Sequence, residues 1–433
     1  MERFLRVVSL ILVFCLLVPI SGITQERIVL NWWTHATLSQ REILQKVIKD
    51  FEAKHPGVKV ELTVLSSWDD MWTKILTSVA AGTGVDVARV KDFWVIDLAR
   101  RGALLRIDKY LERDKKELDV DEYWMSLLEP YRYAGGLYGL PWHVYYYLTY
   151  YNVEMFKEAG ISGPPQNWDE IVTYGKKLTK PEKRIYATQM MTYYGGDAFL
   201  AKSMEMFARQ NSRNPKKDPW DVSTVLPQFN VDSESMKGAL QFWLDLMYKE
   251  KICLPPELSA IPNRVQNNMI AFWFDSPIGA SDLRKTAPKL NFALELMPQK
   301  YNRATIVEQN AFIGFKHTKY PELTWELMKA AVSAETNLAW CKDGVYVPLR
   351  KKFWNTPPFN TDPDYLKARE MLLHSDAIFH AKYPYNWQAL MVTLSKELNA
   401  IIYRQKSIDD GLRAAKEAMT KIMRETYGSK YKY

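Results

Sequence analysis

Five tryptophans, Trp32, Trp33, Trp94, Trp142 and Trp273, fall where strands are expected to end or loops to begin, beside Asp, Asn, Gln and His. An indole offers a flat apolar face and one N–H donor. A sugar ring offers C–H faces to stack and hydroxyls that need directed partners, so this residue mix suits such a ligand. It suits an aromatic-rich core equally well, and the residues alone leave both readings open. The densest case is "GGLYGLPWHVYYYLTYYN", from Gly135 to Asn152. Core strands ordinarily use Val and Ile, which bring no hydroxyl to satisfy. Trp72, Trp243 and Trp325, by contrast, lie at helical spacing and read as packing.

Reactive chemistry is hard to find. There is no G-x-S-x-G elbow, no H-E-x-x-H and no Gly-rich loop followed by Lys and Ser or Thr. The six His are dispersed without metal-ligand spacing. No cofactor or metal is implied. Asp69 and Asp70 suit the first turn of a helix, where negative charge opposes the dipole. A hydrolytic carboxylate pair has no short signature, so a secreted glycoside hydrolase stays as a rival reading.

The chain has 433 residues and a net charge of +8, with hydrophobic residues at 47% and aromatics at 13%. That length suits two domains or one large one. Its basic residues are scattered among acids, with no basic arm, which argues against nucleic acid as a partner.

At the N-terminus, Arg3 and Arg6 precede an apolar run from Val7 to Val18, with Ser21 and Gly22 beyond. This is the anatomy of an export signal over 1–22, with a retained anchor as the alternative. Cys15 follows Phe14, where a lipidation site would want a small residue. Cys253 and Cys341 remain, and their pairing is open.

The expected elements alternate. "RIVLNWW" reads as a strand, and "SQREILQKVIKDFEAK" as a helix with Ser39 and Glu42 as a capping box. "VKVELTVL" is a strand, "WDDMWTKILTSVAAG" a helix stopped by Gly82, "VDVARV" a strand and "FWVIDLARRG" a short helix. Alternation with short connections predicts an α/β layer with a mainly parallel sheet, whose ligands sit at the carboxyl ends of the strands. Farther on, "NVEMFKEAG", "NWDEIVTYGKKLT", "DSESMKGALQFWLDLMYKE" and "PELTWELMKAAVS" read as helices. "NFALELMP" and "NAFIGF" read as strands, and the last third as helical. "NSRNPKKDPWDVSTVLP" reads as a surface loop.

Four segments occur in a telling order: "FEAKHPGVKVEL", "WDDMWTKILTSVAAGTGVDVARV", "LARRGALLRIDKYL" and "GLYGLPWHVYYYLTYYNVEMFKEAGISGPPQNWDEIVTYGKKLT". Together they resemble family 1 extracellular solute-binding proteins of bacterial ABC importers, the maltose-binding-protein-like group. The resemblance implies a type II periplasmic-binding fold: two α/β lobes, each a sheet flanked by helices, closing on a ligand in the cleft between them. It implies a first lobe of 23–143 and 304–347 and a second of 144–303 and 348–433. It also implies a saccharide ligand, an extracytoplasmic location, permease transmembrane subunits as partners, a monomer and no catalysis.

Site positions carry over by matching segment. The first strand's end gives Trp33 and His35, "SSWDD" gives Ser66 and Trp68, and "VKDFW" gives Lys91, Asp92 and Trp94. The "YGLP" segment, which crosses along the cleft floor in this family, gives Trp142, His143 and Tyr145. "MMTYYGGDAF" gives Tyr193 and Tyr194, "MIAFWFDSP" gives Trp273 and Asp275, "VEQNAF" gives Gln309 and Asn310, and "YNWQAL" gives Trp387. Trp142, Trp273 and Trp387 are expected to stack on sugar, and Asp92, Asp275, His143 and Gln309 to bond its hydroxyls. Lys91 is the one basic residue expected in the cleft, which favours a neutral sugar over a phosphate-bearing one, with a polyol, phosphorylated polyol or peptide as the alternative ligands.

The sequence departs from the family pattern at Val85, where Pro is usual, and at "NRVQNNMIAF", which lacks the usual Gly and Lys. Gln309 and Asn310 also replace a Gly pair. These changes bear on specificity rather than fold.

Overall fold

The computed structural model describes residues 27–123, 125–191, 198–221, 223–224, 226–374, 376–379 and 382–428. The export-signal reading, Tyr193 and Tyr194 fall outside them, as does the side chain of Tyr145.

Eleven strands are described. They are β1 (Ile28–Thr34), β2 (Val58–Val64), β3 (Val87–Lys91), β4 (Arg132–Tyr133), β5 (Gly136–Leu137), β6 (Leu140–Tyr145), β7 (Leu148–Asn152), β8 (Phe272–Asp275), β9 (Phe292–Glu295), β10 (Thr305–Gly314) and β11 (Ala377–Phe379). The larger sheet runs β11-β10-β3-β1-β2, with β6 also paired to β10. The expected parallel sheet holds for β2, β1 and β3, but β10 is antiparallel to both β3 and β6. The second sheet, β8-β7-β9, is antiparallel throughout. Two sheets flanked by helices make the two-lobed type II arrangement.

The helices begin where short polar side chains can take up orphan N–H groups. Leu38–Lys54 is capped by Thr37 in a capping box with Gln40, two residues before the Ser39 expected from the sequence. Ser67 caps Trp68–Ala81, which Gly82 ends in the left-handed conformation (φ 66°). Asn167 and Ser407 cap Trp168–Leu178 and Ile408–Tyr427, as their spacing predicts.

Two features depart from the sequence reading. Phe199–Gln210 is a helix buried from Leu200 onward, and its charged residues hid it. Within it Arg209 Nε and Nη2 donate to Glu205 Oε1 at 2.8 and 2.6 Å, and both side chains are 0% exposed. Arg209 also donates to the carbonyls of Pro215, Asp218 and Trp220. This pins the segment that reads as a surface loop, and Trp220 is buried. Cys253 and Cys341 are both buried free thiols, and burial raises the pKa of each.

Helix Asp92–Arg100 packs against the C-terminal region. Asp97 Oδ1 accepts from Asn386 N at 2.9 Å, and burial raises the Asp97 pKa to about 7. The folded pKa therefore lies above the unfolded value of about 3.9. Between these pH values the folded state holds the proton more tightly. This share of stability is full below about pH 4 and is lost as pH rises through about 7. Asp97→Asn keeps the acceptor and removes the titration. Its stability relative to wild type should be higher at about pH 8 than at about pH 5 in urea melts. An equal difference at both pH values would remove Asp97 from the account.

Candidate functional site

Between the two sheets lies a cleft of about 580 Å³, within the range of small-molecule sites. Its floor is one rung of the larger sheet. Lys91 of β3 pairs Asn310 of β10, which pairs His143 of β6, so three polar residues stand side by side. Period-2 alternation then brings Arg89 and Glu308, two residues back from Lys91 and Asn310, to the same face. All five line the cleft.

The register breaks beside this rung. Asn310 pairs His143 and Ala311 pairs Pro141, which leaves Trp142 as the extra residue of a bulge. A bulge suspends alternation, so Trp142 and its neighbour His143 both reach the cleft. The Trp142 ring meets Trp340 edge-on at 4.4 Å. The Arg89 guanidinium lies 4.7 Å from the Trp142 ring and 5.1 Å from that of Trp68. Arg89 also donates to Gln40 Oε1 at 3.2 Å and to the carbonyl of His35. It thus ties two indoles to the start of helix Leu38–Lys54.

Trp68 and Ser66 stand at the start of helix Trp68–Ala81, with the Ser66 hydroxyl donating to Asp70. His35 packs against Trp68 at 5.2 Å, and its Nδ1 lies 3.0 Å from the Leu65 carbonyl. Burial lowers the His35 pKa, so its ring is neutral at pH 7. Nδ1 must then carry the proton, and Nε2 is left as an acceptor. The His143 pKa is also pushed well down, by burial and by Arg89.

The opposite wall is acidic. Asp275 ends β8 and Ser276 follows it, while Gly279 and Asp282 belong to helix Ile278–Thr286. Burial raises the Asp275 pKa to about 7, and Asp282 adds to the shift. Tyr150 donates to the Ser276 carbonyl at 2.7 Å and so fixes this corner. Phe199 and Lys202 project from helix Phe199–Gln210, and Gln388 from helix Trp387–Ile402. Lys202 pairs with Glu308, which also accepts from the Tyr147 hydroxyl at 3.3 Å.

Of the positions expected from the sequence, His35, Ser66, Trp68, Lys91, Trp142, His143, Asp275 and Asn310 come together here. Six others are placed elsewhere, while the side chains of Tyr145, Tyr193 and Tyr194 lie outside what is described. Asp92 and Gln309 point away from the floor into a buried network: Asp92 Oδ2 accepts from Gln309 N and from the Tyr383 hydroxyl, and Gln309 Oε1 accepts from the Tyr131 hydroxyl. Trp273 stacks on Tyr150 at 5.5 Å within the second lobe's core. Trp387 packs against Tyr383 and Trp220. Trp94 lies beneath Trp68 and against Trp72. Trp33 is covered by Lys74. The single-cation expectation also changes, since Arg89 and Lys202 join Lys91 in the cleft.

Some polar atoms at this site have no hydrogen-bond partner among the described residues: Trp142 Nε1, Asn310 Oδ1 and Gln388 Oε1. Buried polar atoms are ordinarily satisfied, so each of these three retains capacity for one further hydrogen bond. No cluster able to hold a metal occurs among the described residues.

The family model described as "Bacterial extracellular solute-binding protein" matches residues 46–368. The chain belongs to this family. Such solute-binding proteins are extracellular binding proteins by description. A relative described as a binding protein in Brucella abortus (strain 2308) is 24% identical over 392 residues, 88% of this chain and 90% of its own. The arabinooligosaccharide-binding protein of Bacillus subtilis (strain 168) is 28% identical over 221 residues, 48% of each chain. Among solved structures, an ABC transporter solute-binding protein from Thermotoga lettingae TMO, bound with alpha-D-tagatose, superposes with a TM-score of 0.76. It is 22% identical, with 92% of this chain and 100% of that chain covered.

Proposed function

We propose that this chain is the extracytoplasmic receptor of an ABC importer and holds a saccharide in the cleft described above. The observation that carries this reading is the set of buried unmet polar atoms set among aromatic rings. Trp142 Nε1, Asn310 Oδ1 and Gln388 Oε1 suit hydroxyls, and the rings of Trp68 and Phe199 line the same space. Relatives named for arabinooligosaccharide and bound with tagatose support the ligand class. The lobes divide at 143/144, 303/304 and 347/348, and closure moves the acidic wall toward the basic floor. Ligand favours the closed state only through contacts made there. The protein acts as a monomer, exported by a signal at 1–22, and delivers its ligand to permease transmembrane subunits.

A thermal-shift screen against mono- and oligosaccharides, polyols and short peptides tests this, with product analysis of every hit. Ligand that binds only the folded state must raise the melting temperature. A saccharide hit that is recovered intact supports the receptor. A hit that is consumed moves the chain to the hydrolases, and a peptide-only response removes the sugar.

Gly279→Ala is a local probe of the acidic wall. A Cβ there would lie 2.6 Å from Asp275 Oδ2, so the carboxyl must swing aside. Stability should stay within about 1 kcal/mol, since Ala is the better helix former. Ligand affinity should fall, and unchanged affinity by calorimetry would take Asp275 out of the site.

A further inference from the structure

We infer that the ligand is acidic: a saccharide carrying a carboxylate, as in a hexuronate, with that carboxylate seated on the ammonium of Lys91. This rests on the saccharide reading above and narrows it.

The inference starts from unequal treatment of three cations. Arg89 is committed to Gln40, to the His35 carbonyl and to two indole faces. Lys202 is paired with Glu308. Lys91 lines the same cleft, and its ammonium makes no ion pair or hydrogen bond among the described residues. It touches only rings: Trp68, Phe93 and Trp94, at 5.6 to 5.9 Å.

Nearby acids are engaged, or exposed at the rim and not paired with Lys91. Glu308 is held by Lys202 and Tyr147. Asp92 faces Phe93 N, Gln309 N and Tyr383. Asp69 is exposed at the rim. Burial lowers the Lys91 pKa to about 8, with Lys202 as the next cause. A desolvated ammonium without a paired counter-charge is costly, and a charged partner meets that cost where a neutral hydroxyl does not.

The number of charges follows from the far wall. A phosphate would bring two negative charges toward Asp275 and Asp282, and it wants Arg forks that Arg89 cannot spare. A carboxylate brings one. The ring hydroxyls beside it would face Asp275, Asn310 and Gln388.

The test is calorimetry on the full mature protein. Probes are mono-, di- and trisaccharides of hexuronic acids, the same compounds with the carboxyl reduced to alcohol, and hexose phosphates. An acidic saccharide should bind at least about tenfold more tightly than its reduced counterpart, the increment of one charge-assisted hydrogen bond. Lys91→Met and Lys91→Gln should both collapse that ratio toward unity, with melting temperatures confirming that each variant is folded. The Gln variant keeps a donor and loses only the charge. Equal or tighter binding of the neutral counterpart, or a ratio unmoved by either variant, overturns the inference and leaves the saccharide receptor standing. Preference for a hexose phosphate also overturns it. If no saccharide of either kind binds, the receptor reading itself falls.

Discussion

Arg209→Met should cost about 3–5 kcal/mol of folding stability, because it strands the Glu205 carboxylate in a fully enclosed site. Both members of this pair are 0% exposed, on a helix buried from Leu200 to Gln210. The same guanidinium holds the carbonyls of Pro215, Asp218 and Trp220, so its loss also frees that segment. The double variant Glu205→Leu with Arg209→Met should lose less than the single one, since no charge is then left unpaired. Urea unfolding measures both. A single-variant loss below about 1 kcal/mol would mean that the site admits water or neutralises Glu205.

Trp142→Ala should abolish ligand binding and remove about 3–5 kcal/mol of stability, the range for a large buried aromatic. The ring is wedged between Trp340, Phe312 and the Arg89 guanidinium. Its loss therefore opens a void beneath the cleft and releases Arg89. Trp142→Phe separates the two effects. It restores most of the packing but lacks Nε1, which has no partner among the described residues. That variant should be nearly as stable as wild type and still bind weakly. If it binds as tightly as wild type, Nε1 is not a ligand contact.

The larger sheet was legible because its strands are short apolar runs separated by helices with recognisable ends, such as the stop at Gly82. The site was legible in part. Lys91 and Asn310 share a rung, and two-residue steps along their strands would have yielded Arg89 and Glu308 as well. The same alternation sends Gln309 to the far side. Asp92 follows Lys91 but opens a helix, and its direction changes there. The bulge at Trp142 leaves no mark in the residues, because it is a property of pairing between strands distant in sequence. Trp273 and Trp387 sit at the right ends of the right elements. Both turn inward, because their lobe offers them Tyr150 and Tyr383 to pack against. Aromatic type cannot distinguish those neighbours from a sugar.

β10 begins beside β11 and ends beside β3, with β6 along its middle. The proposed crossovers are therefore neighbours, and a rotation of one lobe against the other has its axis near them. On that proposal Glu308, Asn310 and His143 would sit almost on the axis and hardly travel. Trp68 and Ser276 stand at the ends of the lever arms and travel most. An arriving molecule would meet the axial groups already in place, so they should govern how fast it is captured. The distal groups engage only after the swing, so they should govern how long it is held. A substitution near the fulcrum would then slow association, whereas one at the rim would shorten residence.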